Sequence, residues 1–209
     1  MNSEIKLGGS VTISLFVCLF WTLFPISNAI GSSLEQIPKD FNVSVRDTHT
    51  TKNSDKVSAQ NIEENTRKDI ELYVLKWTNQ ERQRRRLPIL KINPTLGKLA
   101  QIHSRNQATS GVMAHDSDNF PKGWRTFEER MKKLKFVPPM VFGENVFWSS
   151  ANLPSKATER NDYARKMVHA WMTSEKHRKN ILHPNFSRMG IGILDGYVTQ
   201  LFASRDPSE

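Results

Sequence analysis

The sequence predicts an α+β fold in which helices cover an antiparallel sheet. Three observations predict it. Apolar residues recur every three or four positions in separate stretches, as amphipathic helices require. Val141–Trp148 and Met189–Leu194 instead read as strands. Asp195-Gly196 then joins the second of these to Tyr197–Ala203 as a two-residue hairpin. Helices and strands do not alternate as βαβ units, and no internal repeat is present.

The N-terminus is read apart from the fold. Val11–Phe24 is an apolar run broken by Pro25, and Ser27-Asn28-Ala29 places small residues at −3 and −1. Residues 1–29 therefore read as a secretory signal peptide cut after Ala29, with an uncleaved membrane anchor as the alternative. Cys18, the single cysteine, lies in this run, so the mature chain has no disulfide and depends on packing. Residues 30–64 are polar without helical period and read as a loosely ordered linker. The domain spans 65–204, and 205–209 is a polar tail. Removing one Lys and one Glu with the signal leaves the net charge at +9. That charge suits an anionic surface or a solvated face. Export and the lack of a nucleic-acid motif argue against nucleic acid, and a monomer is expected.

In the domain, Ile70, Tyr73, Val74 and Trp77 give the first helix one apolar face. Arg82, Arg84, Arg85 and Arg86 at its end complement the helix dipole. Leu87–Ile92 is a connector. Asn93 is an N-cap, Pro94 fits the first turn, and Gly111 ends the second helix. Leu96, Leu99, Ala100 and His103 share its inner face, so His103 reads as a hydrogen-bonded core residue. Thr126 and Glu129 form a capping box for a short helix, basic on its outer side, that ends at Val137-Pro138-Pro139.

Along Val141–Trp148, alternation places Glu144 with Phe142, Val146 and Trp148. A carboxylate there needs a partner, either a backbone N–H or an arginine. Gly143 admits close approach of a neighbour. After the polar loop Ser149–Glu159, a helix from about Asp162 carries Ala164, Met167, Val168 and Trp171 inward. Ser174 caps a further turn with His177 at its third position. Asn42-Val-Ser44 and Asn185-Phe-Ser187 fit N-glycosylation sequons, relevant only in a eukaryotic secretory path.

These stretches resemble a known family. W-T-N-Q-E-R, then L-P-I-L-K-I-N-P-T-L-G-K-L-A-Q-I-H-S, G-V-M-A-H-D, G-E-N-V-F-W, W-M-T-S-E-K-H-R-K-N-I-L-H-P-N-F and M-G-I-G-I follow one another as in the CAP superfamily. This is the SCP domain of cysteine-rich secretory proteins, antigen 5 and pathogenesis-related 1. The resemblance covers about Ile70–Phe202 and looks like the bacterial, cysteine-free branch. It implies a three-layer α-β-α sandwich and a central cleft lined by two His and two acidic residues. By motif these are His115, Glu144 and His177, with Asn145 beside them. Where the animal and plant form has a glutamate, this chain has Ser174, and Glu175 follows one residue later.

Two imidazoles and a carboxylate can hold a divalent metal, so His115, His177 and Glu144 are candidate ligands for zinc or a similar ion. Such a metal would support a hydrolase or peptidase. No general base, nucleophile or oxyanion set accompanies it, and there is no H-E-x-x-H. A secreted, non-catalytic module binding lipid, a cell-wall component or peptide is therefore the principal expectation, with no catalytic residue assigned. Phe136, Val137, Met140 and Phe142 are candidates for a lipid groove. A third reading has Glu144 bonding both histidines as a purely structural tie.

Overall fold

The structure, a computed structural model, describes residues 4–7, 11–14, 52–134 and 140–206. Two short N-terminal strands, β1 (Glu4–Leu7) and β2 (Val11–Ser14), pair antiparallel. The expected cleavage point after Ala29, the segment 30–51 with its sequon at Asn42, Phe136 and Val137 lie outside the described residues. Among the described residues, no helix is long and apolar enough to cross a membrane.

The domain begins with α1 (Lys52–Gln83), followed by β3 (Lys91–Ile92), α2 (Pro94–Ser110) and α3 (Phe127–Met131). Then come β4 (Phe142–Trp148), α4 (Ala157–Thr173), α5 (Glu175–Ile181), β5 (Arg188–Leu194) and β6 (Tyr197–Ala203). Helix α1 corrects the expected linker, since residues 52–64 are helical. Its leading part is polar and carries ion pairs Glu63–Arg67 and Glu64–Lys68 at i,i+4. Extending a helix already anchored by packing costs little, so no apolar period is needed there. Helix α4 likewise starts before the expected Asp162, within the stretch read as a loop.

The sheet order is β3-β5-β6-β4. Strands β5, β6 and β4 are antiparallel, with Glu144 opposite Leu201 and Asn145 opposite Gln200. Strand β3 pairs parallel to β5, so the sheet is mixed rather than purely antiparallel. A two-residue strand leaves no alternation to read, which is why this stretch looks like a connector. The β5–β6 hairpin turns on Asp195 and Gly196, both at positive φ (47° and 79°).

Helices pack on both faces, giving the three-layer α-β-α sandwich. On one face, Ile70 and Val74 of α1 and Ala164, Met167, Val168 and Trp171 of α4 meet Met189, Ile191, Ile193, Val198 and Phe202. On the other, Leu96, Leu99 and Ala100 of α2 join Met131, Leu134, Met140, Phe142, Leu201 and Ala203. Met140 and Phe142 are thus core, not a lipid groove. Helix α2 lies close to β5 because Gly190 and Gly192 face it. A Cβ on Gly190 would sit 2.2 Å from the Gly97 backbone, and one on Gly192 2.2 Å from the Ala100 backbone. The caps of α2 are as expected: Asn93 accepts from Leu96 N at 2.9 Å, and Gly111 is left-handed.

The buried row of α1 is Thr66, Ile70, Val74, Thr78 and Arg82. Arg82 does more than complement the helix dipole, the role expected of the arginine run. It is fully buried and donates to four carbonyls: Pro88 (2.8 Å), Ile181 (2.8 Å), His183 (2.9 Å) and Phe186 (3.0 Å).

Candidate functional site

Strand β4 is a sheet edge, and its outer side must find partners for its backbone. Helices α4 and α5 supply them. Trp171 Nε1 donates to Val146 O at 3.1 Å, and Asn180 Nδ2 donates to Glu144 O at 2.9 Å. Asn180 Nδ2 also reaches Asn145 Oδ1 at 2.9 Å. Asn145 donates in turn to Gln200 Oε1 (3.1 Å) and His177 O (3.3 Å). Gly143 makes room as expected: a Cβ there would lie 2.9 Å from Phe186 and 3.0 Å from Asn180. The amide network on this face of β4 thereby fixes the backbone that carries His177.

Glu144 points to the opposite face, toward α2 and α3, and its side chain is 3% exposed. Its partner is Arg130, which is fully buried and reaches both carboxylate oxygens (2.8 and 3.0 Å) from Nη2. The same Nη2 donates to His115 O at 2.7 Å. His115 Nδ1 meets Glu144 Oε1 at 2.8 Å. His103 Nε2 lies 3.6 Å from that oxygen and bonds Ala114 O at 3.1 Å. His103 is thus a core histidine, as expected, and also borders the site. The His115 and His177 rings are 6.5 Å apart, centre to centre, tilted by 56°. They come from different layers and meet past the β4 edge.

The charges follow from this packing. Burial alone would raise the Glu144 pKa, but Arg130 first, then His103 and His115, pull it down to about 2. Burial lowers His177 to about 4, helped by the nearby His115 and Lys176. Burial likewise lowers His103 to about 4, with Glu144 opposing. At neutral pH the site therefore holds one internal ion pair and neutral imidazoles at positions 103 and 177. His103 Nδ1 and His177 Nδ1 are buried without a hydrogen-bond partner.

The domain is expected to lose stability in mild acid. The unfolded chain protonates His103 and His177 near 6.5, whereas the folded chain resists until about 4. Their contribution is fully present above 6.5 and is lost as pH falls toward 4, on the order of 3 kcal/mol for each. The Glu144 contribution is present above its ordinary 4.5 and is lost as pH falls toward about 2. Thermal unfolding should show a falling midpoint from pH 7 to pH 5, with a shallower slope in His177→Gln. A flat midpoint over that range contradicts the assignment.

The structure brings together His115, Glu144 and His177, with Asn145 behind them. It corrects Glu175, which is exposed and pairs with Lys179 at 2.8 Å. As the first residue of α5, Glu175 points away from the direction that His177 takes two residues later. Ser174 stands at the N-cap with His177 third in the helix, but its hydroxyl makes no capping bond. The proposed metal set does not fit. A guanidinium already neutralises both oxygens of Glu144, and His115 Nδ1 is committed to the same carboxylate. Among the described residues, no group of three or more His, Cys, Asp or Glu is arranged to hold a metal ion. Arg130 was missed because an arginine in a short basic helix reads as exposed. Its only sequence signal was the demand of Glu144 for a cation.

With this geometry in place, the comparisons identify the class. The profile of the cysteine-rich secretory protein (CAP) family matches residues 75–202. The chain belongs to that family. Protein YkwD of Bacillus subtilis strain 168 is 31% identical over 122 residues, 58% of this chain and 41% of its own length. The membrane protein YlbC of the same organism is 25% identical over 135 residues, 65% of this chain and 34% of its own. The chain thus spans less than half the length of either relative. Among solved structures, an extracellular SCP-domain protein of Bacillus anthracis str. Ames is similar, with 28% identity and a TM-score of 0.49. That similarity covers 64% of this chain and 39% of the other. An outer surface protein of Borrelia burgdorferi shares 18% identity with a TM-score of 0.48, covering 65% of this chain and 90% of its own.

Proposed function

We propose that this CAP domain is a secreted, non-catalytic binding module for a cell-wall component, held in the site between His115 and His177. The observation that carries this reading is the saturation of Glu144 by Arg130. A carboxylate held near 2 is a poor general base at neutral pH, because proton transfer is most effective with a pKa near the working pH. The His115–Glu144 contact supplies two members of a catalytic triad. The third is missing, since no hydroxyl hydrogen-bonds either ring among the described residues. The apolar candidates Met140 and Phe142 are consumed by the core, which disfavours a lipid. The +9 charge would draw the domain as a whole toward an anionic cell-wall surface, apart from what the site itself holds, and the N-terminal segment has the layout of an export signal.

Cosedimentation with purified bacterial cell walls tests this. The wild type is expected in the pellet, and a His115→Ala, His177→Ala double variant should bind at least about tenfold more weakly, a loss of roughly 1.4 kcal/mol. Equal binding by the double variant, abolished by salt, would assign the interaction to the basic surface instead. Release of soluble wall fragments by the wild type alone would replace the binding module with a hydrolase.

A further inference from the structure

The hydrogen-bond pattern places the protons on the two facing imidazoles. Glu144 is ionised, because Arg130 donates to both of its oxygens. An ionised carboxylate accepts only. The 2.8 Å contact with His115 Nδ1 therefore puts a proton on that nitrogen. In the neutral ring, His115 Nε2 is left with a lone pair.

His177 is under the opposite constraint. Its Nδ1 is buried without an acceptor. An orphaned buried N–H is rarer in folded proteins than an under-used acceptor. The proton is better placed on Nε2, which is not among the buried unpartnered atoms. Asn145 Nδ2 ties the His177 carbonyl to the sheet. The two rings thus offer one acceptor and one donor. Centres 6.5 Å apart are a separation that one oxygen, bonded to both rings at about 2.8 Å, can bridge.

Ligand chemistry then separates cleanly. A cation needs lone pairs from both rings, but one of them carries a proton in its place. A carboxylate needs two donors. A hydroxyl, like the water it would displace, donates and accepts through one oxygen, and of these three ligands it satisfies the pair without disturbing the Arg130–Glu144 ion pair. We propose that His115 and His177 stand in opposite tautomers, Nδ1–H and Nε2–H respectively, and that the gap between them binds a hydroxyl of an uncharged, sugar-like ligand. This deepens the reading of the site as a binding module and rests on it.

The test uses the full domain labelled with 15N-histidine at pH 7.5. Long-range 1H–15N correlation spectra read each tautomer without any ligand, so this arm can fail while wall binding stands. Opposite tautomers are expected, and the same tautomer in both rings overturns the proposal. The probe for the second arm is the N-acetylglucosamine tetramer, which is uncharged and rich in hydroxyls. Its addition should shift the His115 and His177 side-chain resonances and leave those of exposed His169 in place. Opposite tautomers with no shift at millimolar tetramer overturn the ligand assignment. Zinc chloride serves as the contrasting probe. Micromolar zinc binding that moves both rings would likewise overturn the proposal.

Discussion

Replacing Arg130 by methionine is expected to lower the unfolding free energy by about 3–5 kcal/mol, the typical cost of breaking a buried ion pair from one side. The size of the effect comes from what remains. Glu144 would keep its burial but lose the group that touches both of its oxygens, and the His115 carbonyl would lose its donor. The methionine itself fills much of the arginine stem's space, so the loss is electrostatic rather than a cavity. Glu144→Gln should therefore repair much of the damage in the double variant, because no unpaired charge then remains. Urea unfolding of the wild type, both single variants and the double variant closes the cycle. A loss below about 1 kcal/mol for Arg130→Met would place the pair among ordinary surface bridges and remove the basis for an internally neutral site.

Arg82→Ala should cost about 4 kcal/mol, since it strips donors from four carbonyls, of which the bonds to Ile181 and Phe186 are fully buried. Among the described residues no carboxylate pairs with it, so the residue acts as a five-donor fork and not as a charge partner. It joins the end of α1 to the connector before β3 and to the turn after α5. Arg82→Lys should recover less than half of the loss, because an ammonium cannot spread over the same four acceptors. Guanidinium unfolding of both variants decides the matter. A lysine variant as stable as the wild type would show that the charge, and not the fork, is what counts.

Sequence legibility tracked how local each signal is. The caps of α2, its inner face, the Thr126–Glu129 capping box and the Asp195-Gly196 turn depend on residues within a few positions of one another. All could be read. The need of Glu144 for a partner was readable from the strand's alternation, as was the need for space at Gly143. The partner itself was not, because Arg130 belongs to another element and a charged side chain carries no mark of burial. Arg82 was hidden for the same reason among three neighbouring arginines. The polar start of α1 and the two-residue β3 have no apolar rhythm, and both are stabilised by what they adjoin. Glu175 was misplaced because distance along the chain to His177 says little about which side of a helix turn a residue takes.

The sheet order has a consequence for when this domain can form. The central strands, β5 and β6, are the last elements of the domain, while β3 and β4 flank them from earlier positions. No pair of the four domain strands is complete until Arg188 and the residues after it have been made. Until then α1, α2 and α4 have apolar faces and no sheet to cover. A domain ordered in this way closes its sheet only when the β5–β6 hairpin arrives.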